Sequence, residues 1–222
     1  MPNQKKFLIS FLGDSITDAN WIRHNYVSLV GEYLGVDVQN CGVSGSTVGV
    51  SNRKTEWSNF IAELPKIDKQ ADLVFVLGGT NDFGTCPNQA IELGNIASKD
   101  THTYYGALQY IADYLLTFLT KDRIILGTPM RRDEKKLGFY STDRNEFGST
   151  FIDYVNAVKD VANKYSFKVI DLYHDFKEYN PSNPHFYDIS DDGLHPNDLG
   201  HQVMAKYLAE IFKPLVLELG KK

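Results

Sequence analysis

A serine, a histidine and an aspartate in this chain of 222 residues have the types needed for nucleophilic chemistry on an acyl group. Ser15 lies in Gly13-Asp14-Ser15-Ile16-Thr17, directly after the apolar run Phe7-Leu8-Ile9-Ser10-Phe11-Leu12. A serine hydroxyl is a weak nucleophile at neutral pH until a base takes its proton. His195 is the candidate base, because Pro196 biases it towards an extended backbone and keeps it on a loop. Asp192, three residues earlier, can fold back across one turn and accept a hydrogen bond from one ring nitrogen. That bond fixes the tautomer and stabilises the imidazolium as it forms. An oxyanion needs donors, and three are available: the N–H of Ser15, the N–H of Gly45 and the side-chain amide of Asn81. Gly45 can approach a substrate with no Cβ in the way. Asp14 and Asp82 are read as hydrogen-bonding support behind these groups, since Asp192 is the acid spaced to serve His195.

Taken singly, each residue also has a plain structural reading. Ser15 and Asp14 suit a cap at a strand-to-helix turn, Gly45 an ordinary turn, Asn81-Asp82 a turn after a buried strand, and His195 a loop histidine. What joins them is their position. Ser15, the Asn40-Cys41-Gly42-Val43-Ser44-Gly45 segment and Gly78-Gly79-Thr80-Asn81-Asp82 each follow an apolar run, while Asp192-Gly193-Leu194-His195-Pro196 precedes the last helical pattern. Ligands of open α/β sheets bind at the C-terminal ends of the strands.

The elements needed to hold those junctions can be read from periodicity. Strands are expected over residues 6–12, 35–40, 71–77, 123–127 and 167–172, mostly continuous apolar runs of the kind buried parallel strands give. Helices are expected over about 21–34, 54–64, 104–120, 150–165 and 197–219. Residues 83–101 and 131–148 have little periodicity and read as loops, which at that length are commonly functional. The alternation predicts one domain over residues 1–222, an α/β fold with a parallel sheet covered on both faces.

Composition narrows the function classes. A net charge of −5 gives no basic excess for nucleic acid. No run reaches the roughly 18–20 apolar residues of a membrane helix, and the apolar stretch after Lys5-Lys6 ends at Gly13-Asp14, too early for a signal peptide. A cytoplasmic protein without stable membrane association is expected, its oligomeric state unreadable. Cys41 and Cys86 form neither a disulfide framework nor a zinc-ligand spacing and read as thiols in a reducing compartment. No metal or organic cofactor is expected, since the acyl chemistry is complete without one.

The four blocks, in order, resemble the SGNH hydrolases, the group containing the GDSL esterases and lipases, which are named for a catalytic Ser, an oxyanion Gly and Asn, and a catalytic His. Ile16 replaces the Leu of the name-giving pattern, a swap of similar volume. The resemblance implies a flavodoxin-like three-layer α/β/α fold with a five-stranded parallel sheet, and Ser15, Gly45, Asn81 and His195 in the named roles. It implies a serine esterase acting on a small-molecule or carbohydrate acyl ester. No long apolar lid is visible, so a short acyl group, acetyl first, is expected. An acyltransferase using the same site with an alcohol acceptor is the alternative. A flavodoxin-like binding module is disfavoured by the lack of a glycine-rich phosphate loop. Arg131 and Arg132 either meet an anionic leaving group or belong to a solvated, self-paired charge run. Phe83, Tyr140, Phe186 and Tyr187 either stack on a sugar or pack the loops down.

Overall fold

Strands β1 (Leu8–Gly13), β2 (Asp37–Gly42), β3 (Leu73–Leu77), β4 (Ile124–Gly127) and β5 (Lys168–Ile170) form one sheet in a computed structural model of the chain. The structure describes residues 6–53, 58–84, 89–138, 140–179 and 191–220. All neighbouring strands pair in parallel, in the order β2-β1-β3-β4-β5, with Phe11 beside Asn40 on one side and Phe75 on the other. This is the flavodoxin-like order, whose switch point lies between β1 and β3.

Alternating strand residues feed two apolar cores. Leu12, Val74, Val76, Ile124 and Leu126 pack towards α5 (Tyr104–Leu115) and α7 (Phe151–Tyr165). Ile9, Phe11, Phe75, Leu77 and Ile125 pack towards α2 (Tyr26–Leu34) and α8 (Asp198–Leu219). In α7 the buried positions Phe151, Tyr154, Val155, Val158, Val161 and Ala162 follow helical spacing, and Thr150 with Asp153 closes a capping box at its start. On the other face Phe11 meets Tyr26, Phe75 and Phe212 at ring separations of 5.7, 6.0 and 6.2 Å. Truncating such a ring typically costs about 3–5 kcal/mol.

Shorter helices follow the strand ends: α1 (Ser15–Asp18), α3 (Phe60–Glu63), α4 (Thr80–Phe83) and α6 (Glu134–Leu137). Three expected helices differ, one of them, α5, only in ending at Leu115 rather than near Thr120. The first begins at Tyr26 rather than near Trp21, because Ala19 turns left-handed (φ 34°) to end α1 and the Asn25 side chain caps α2 through Ser28 N. Trp21 and Ile22 fit the apolar period but lie in the connection. Within 54–64, helix among the described residues is limited to α3, capped by Asn59, and Pro65 enters a single 3-10 turn. β2 also runs two residues further than expected, to Gly42. Among the described residues no helix is long and apolar enough to cross a membrane.

Candidate active site

The C-terminal end of β1 delivers the Ser15 turn. Asp14 is the N-cap of α1, its side chain accepting from Ile16 N at 3.0 Å while its carbonyl accepts from Thr17 and Asp18 N. Ser15 therefore occupies the first helical position, where a backbone N–H has no intrahelical partner. Its Oγ lies 2.9 Å from His195 Nε2, and the residue is 7% exposed. Behind the turn Thr17 Oγ1 meets Tyr26 Oη at 2.9 Å, and Tyr26 N donates to His201 Nδ1 at 3.1 Å.

His195 and Asp192 share the loop that enters α8, whose N-cap is Asn197. His195 Nδ1 is 2.6 Å from Asp192 Oδ2, and Asp192 Oδ1 accepts from Leu194 N and His195 N at 2.8 and 2.7 Å. One carboxylate thus orients the ring and folds the backbone beneath it. Gly193 makes that fold possible: its φ is +84°, and a Cβ would stand 2.9 Å from Lys136 Cβ. Asp133 N donates to Gly193 O at 2.7 Å and Lys136 Nζ to Asp191 O at 3.0 Å.

The Arg131–Lys136 stretch is therefore a platform for this loop, and its arginines do not form the solvated, self-paired run that was one of the two expectations. Arg131 donates to the carbonyls of Phe176 and Tyr179. Arg132 is buried, its guanidinium 4.0 Å from the Phe151 ring centre and 4.9 Å from that of Phe83. Burial lowers its pKa to about 10.

The segment carrying Gly45 is stitched to the Ser15 turn at both ends. Val43 N donates to Gly13 O, and Ser44 donates through N and Oγ to Asp18 Oδ2. Asn81 Nδ2 donates to Ser46 O at 2.8 Å, leaving its second N–H for another acceptor, while Gln89 Nε2 donates to Asn81 Oδ1 at 3.2 Å. Those two bonds fix which way the amide points. Gly45 has φ +77°, with no atom within 4 Å of where a Cβ would sit. Backbone conformation, rather than crowding, explains glycine in the free protein. Asp82 accepts from Val48 N and Gly49 N, both at 2.9 Å, tying this segment to α4.

Burial dominates the carboxyls under the site. It raises Asp14 to about 6 against the Ile16 N–H bond and the attraction of His195. It raises Asp82 to about 7 against the Gly49 and Val48 N–H bonds, with the Asp14 charge adding to the rise. Asp192 goes the other way. Partial burial opposes ionisation, but hydrogen bonds from the His195 ring and from two backbone amides hold it below the usual carboxylate range. The acid facing the imidazole is thus the one of the three whose ionised form its surroundings favour.

Several contributors were not legible beforehand. Gln89 sits in an aperiodic segment that offers no signal. Asp18 and the Ser46 carbonyl are similarly silent. Trp21, whose ring stands 5.5 Å from that of His195 at 88°, was masked by its helical spacing; the Asn25 cap is the signal that places it outside the helix. Phe83 is buried against Phe151 and Tyr154, so it packs the core, whereas Tyr140 is half exposed. Cys41 is a buried free thiol raised to about 11, chiefly by burial. Phe186, Tyr187 and Cys86 lie outside the described residues. Among the described residues no group of three His, Cys, Asp or Glu side chains is placed to hold a metal ion.

Comparison with known proteins agrees with this architecture. The model of the GDSL-like lipase/acylhydrolase family matches residues 11–203. A search of curated proteins finds no match. A solved protein from Lactobacillus plantarum is 27% identical, with a TM-score of 0.80 over 95% of this chain and 98% of its own. A possible lipase from Chitinophaga pinensis is 24% identical, with a TM-score of 0.71 over 95% and 99%. A catalytic mutant of an acetylxylan esterase from Geobacillus stearothermophilus is 22% identical, with a TM-score of 0.64 over 95% of each chain.

Proposed function

The chain belongs to the GDSL-like lipase/acylhydrolase family and is a carboxylic ester hydrolase; from that premise we propose that it removes short acyl groups, acetyl first, from a carbohydrate or other small alcohol through a Ser15 acyl-enzyme. The observation that carries the reading is the continuous chain Ser15 Oγ–His195 Nε2 (2.9 Å) and His195 Nδ1–Asp192 Oδ2 (2.6 Å). His195 takes the Ser15 proton as Oγ attacks the ester carbonyl. The N–H groups of Ser15 and Gly45 and the free amide N–H of Asn81 receive the oxyanion. His195 then returns the proton to the departing alkoxide, and a water activated by the same ring releases the acid. Asp192 holds the tautomer throughout, while Asp14 and Asp82 hold the backbone that carries the donors.

The acetyl and carbohydrate preferences draw support from the acetylxylan esterases that share this fold. Hydrolysis of p-nitrophenyl acetate, butyrate and octanoate by the purified protein tests the reading, with Ser15→Ala and His195→Ala as controls. The acetate is expected to be the best of the three, with acetate release unaffected by added alcohols, and both variants inactive yet folded. Full activity in Ser15→Ala overturns it.

A further inference from the structure

Trp21 is 51% exposed although it has a large apolar surface to hide. With Ile22, Asp191, Asp192, His195, Pro196 and Asn197 it lines a cavity of about 250 Å³. His195 is the catalytic candidate that lines it; Ser15, Gly45 and Asn81 do not. That placement decides which half of an ester fits there. When the tetrahedral intermediate collapses, the bond from carbon to the leaving oxygen breaks, its electron pair stays on that oxygen, and the proton on His195 Nε2 neutralises it. The departing alcohol must therefore lie against His195, away from the oxyanion donors.

Resting on the esterase reading above, we propose that Trp21, Asp191 and Asn197 form the subsite for the alcohol half of the substrate, and that this alcohol is an uncharged sugar. A sugar ring has an apolar C–H face and a rim of hydroxyls, and the cavity lining combines apolar groups (Trp21, Ile22, Pro196) with polar ones (Asp191, Asp192, Asn197). The indole offers a flat apolar surface. The Asp191 carboxylate is a pure acceptor for hydroxyls. Asn197 spends its Oδ1 on Gly200 N, so its Nδ2 is the group that faces a ligand as a donor, held only by a long 3.4 Å contact to Asp191. The volume lies below the roughly 300–1,000 Å³ of pockets for drug-sized ligands and suits a single ring. Two carboxylates in the lining, Asp191 and Asp192, repel a phosphorylated or acidic alcohol.

Two measurements test the subsite. The chain has two tryptophans, so Trp57→Phe leaves Trp21 as the sole indole reporter. Titrating Ser15→Ala/Trp57→Phe with xylotriose is expected to give a saturable fluorescence change; none, with the variant folded by circular dichroism, overturns the proposal. In the active chain, Trp21→Ala is expected to lower the ratio of kcat/KM for acetylated xylotriose to that for ethyl acetate by about tenfold, the equivalent of about 1.4 kcal/mol. Trp21→Phe should recover most of that ratio. Equal losses on both esters would mean that Trp21 merely orients His195, and a ratio that changes for acetylcholine instead would mean a cationic alcohol; either result overturns the assignment. Should Ser15→Ala keep full esterase activity, the catalytic reading fails while the fluorescence titration still judges the subsite.

Discussion

Replacing Asp192 by Asn and by Ala separates two jobs done by one carboxylate. In the native loop Oδ1 accepts the Leu194 and His195 amides while Oδ2 faces His195 Nδ1. Asn keeps Oδ1 and its backbone bonds but puts an N–H₂ against Nδ1, which moves the ring proton to Nε2. Nε2 then cannot accept from Ser15, and the same exchange in a serine-protease triad costs about 10⁴ in kcat. Ala removes the charge, and with it the Oδ1 bonds to the Leu194 and His195 amides, without imposing a tautomer. The Asp192 side chain is 54% exposed and that of His195 29%, so water reaches the pair and weakens its attraction. At a charge separation of about 4 Å the lost imidazolium stabilisation lies between about 1 kcal/mol in water and about 4 kcal/mol at an effective dielectric of 20. That converts to a loss of roughly 5- to 10³-fold at about 1.4 kcal/mol per decade. Asp192→Ala should therefore be at least tenfold faster than Asp192→Asn in kcat for p-nitrophenyl acetate. An Asn variant within tenfold of the parent would refute the tautomer argument.

Three further outcomes follow from the same geometry. Asn81→Ala should lower kcat by about 10²–10³ with little change in KM, as expected for loss of one oxyanion donor; a change confined to KM would remove Asn81 from that role. Gly193→Ala forces a side chain into a left-handed conformation costing about 1–2 kcal/mol and towards Lys136 and Asp133, so kcat should fall as the Asp192–His195 loop shifts. Unchanged kinetics would show that the loop's backbone does not hold the pair. His201 is buried, with Nδ1 accepting from Tyr26 N, and burial, aided by the His195 charge, depresses its pKa from 6.5 to about 4. The unfolded chain binds that proton first, so the His201 contribution is present above about pH 6.5 and is lost as pH falls towards 4. The melting temperature of the parent should drop more steeply over that window than that of His201→Asn; parallel curves would contradict it.

The sheet was legible because buried parallel strands write themselves as unbroken apolar runs. Leu73-Val74-Phe75-Val76-Leu77 is buried at every position, and no helix could hide that surface in so short a run. Ser15, Gly45 and Asn81 could be singled out for a related reason: each lies just beyond an apolar run, and strand ends are where an α/β sheet gathers its ligands; Asp192 and His195 instead stood out by their three-residue spacing ahead of the last helix. What escaped depends on contacts between distant segments. Trp21 has the spacing of a helical core residue, yet the Asn25 cap cuts the helix below it. Arg132 lies in a charged run that reads as solvent-facing, and the arrangement of Phe83 and Phe151 helps make a buried guanidinium tolerable, as a cation over two ring faces. Gln89 orients Asn81 from a segment with no periodicity at all.

The most direct test of the account is the identity of the nucleophile. Intact-mass analysis after a fluorophosphonate serine probe, followed by peptide mapping, should find one adduct per chain on Ser15, with labelling abolished by Ser15→Ala and strongly slowed by His195→Ala. An adduct on another residue, or continued ester hydrolysis by a chain fully labelled at Ser15, would contradict the assignment of the reaction to this site.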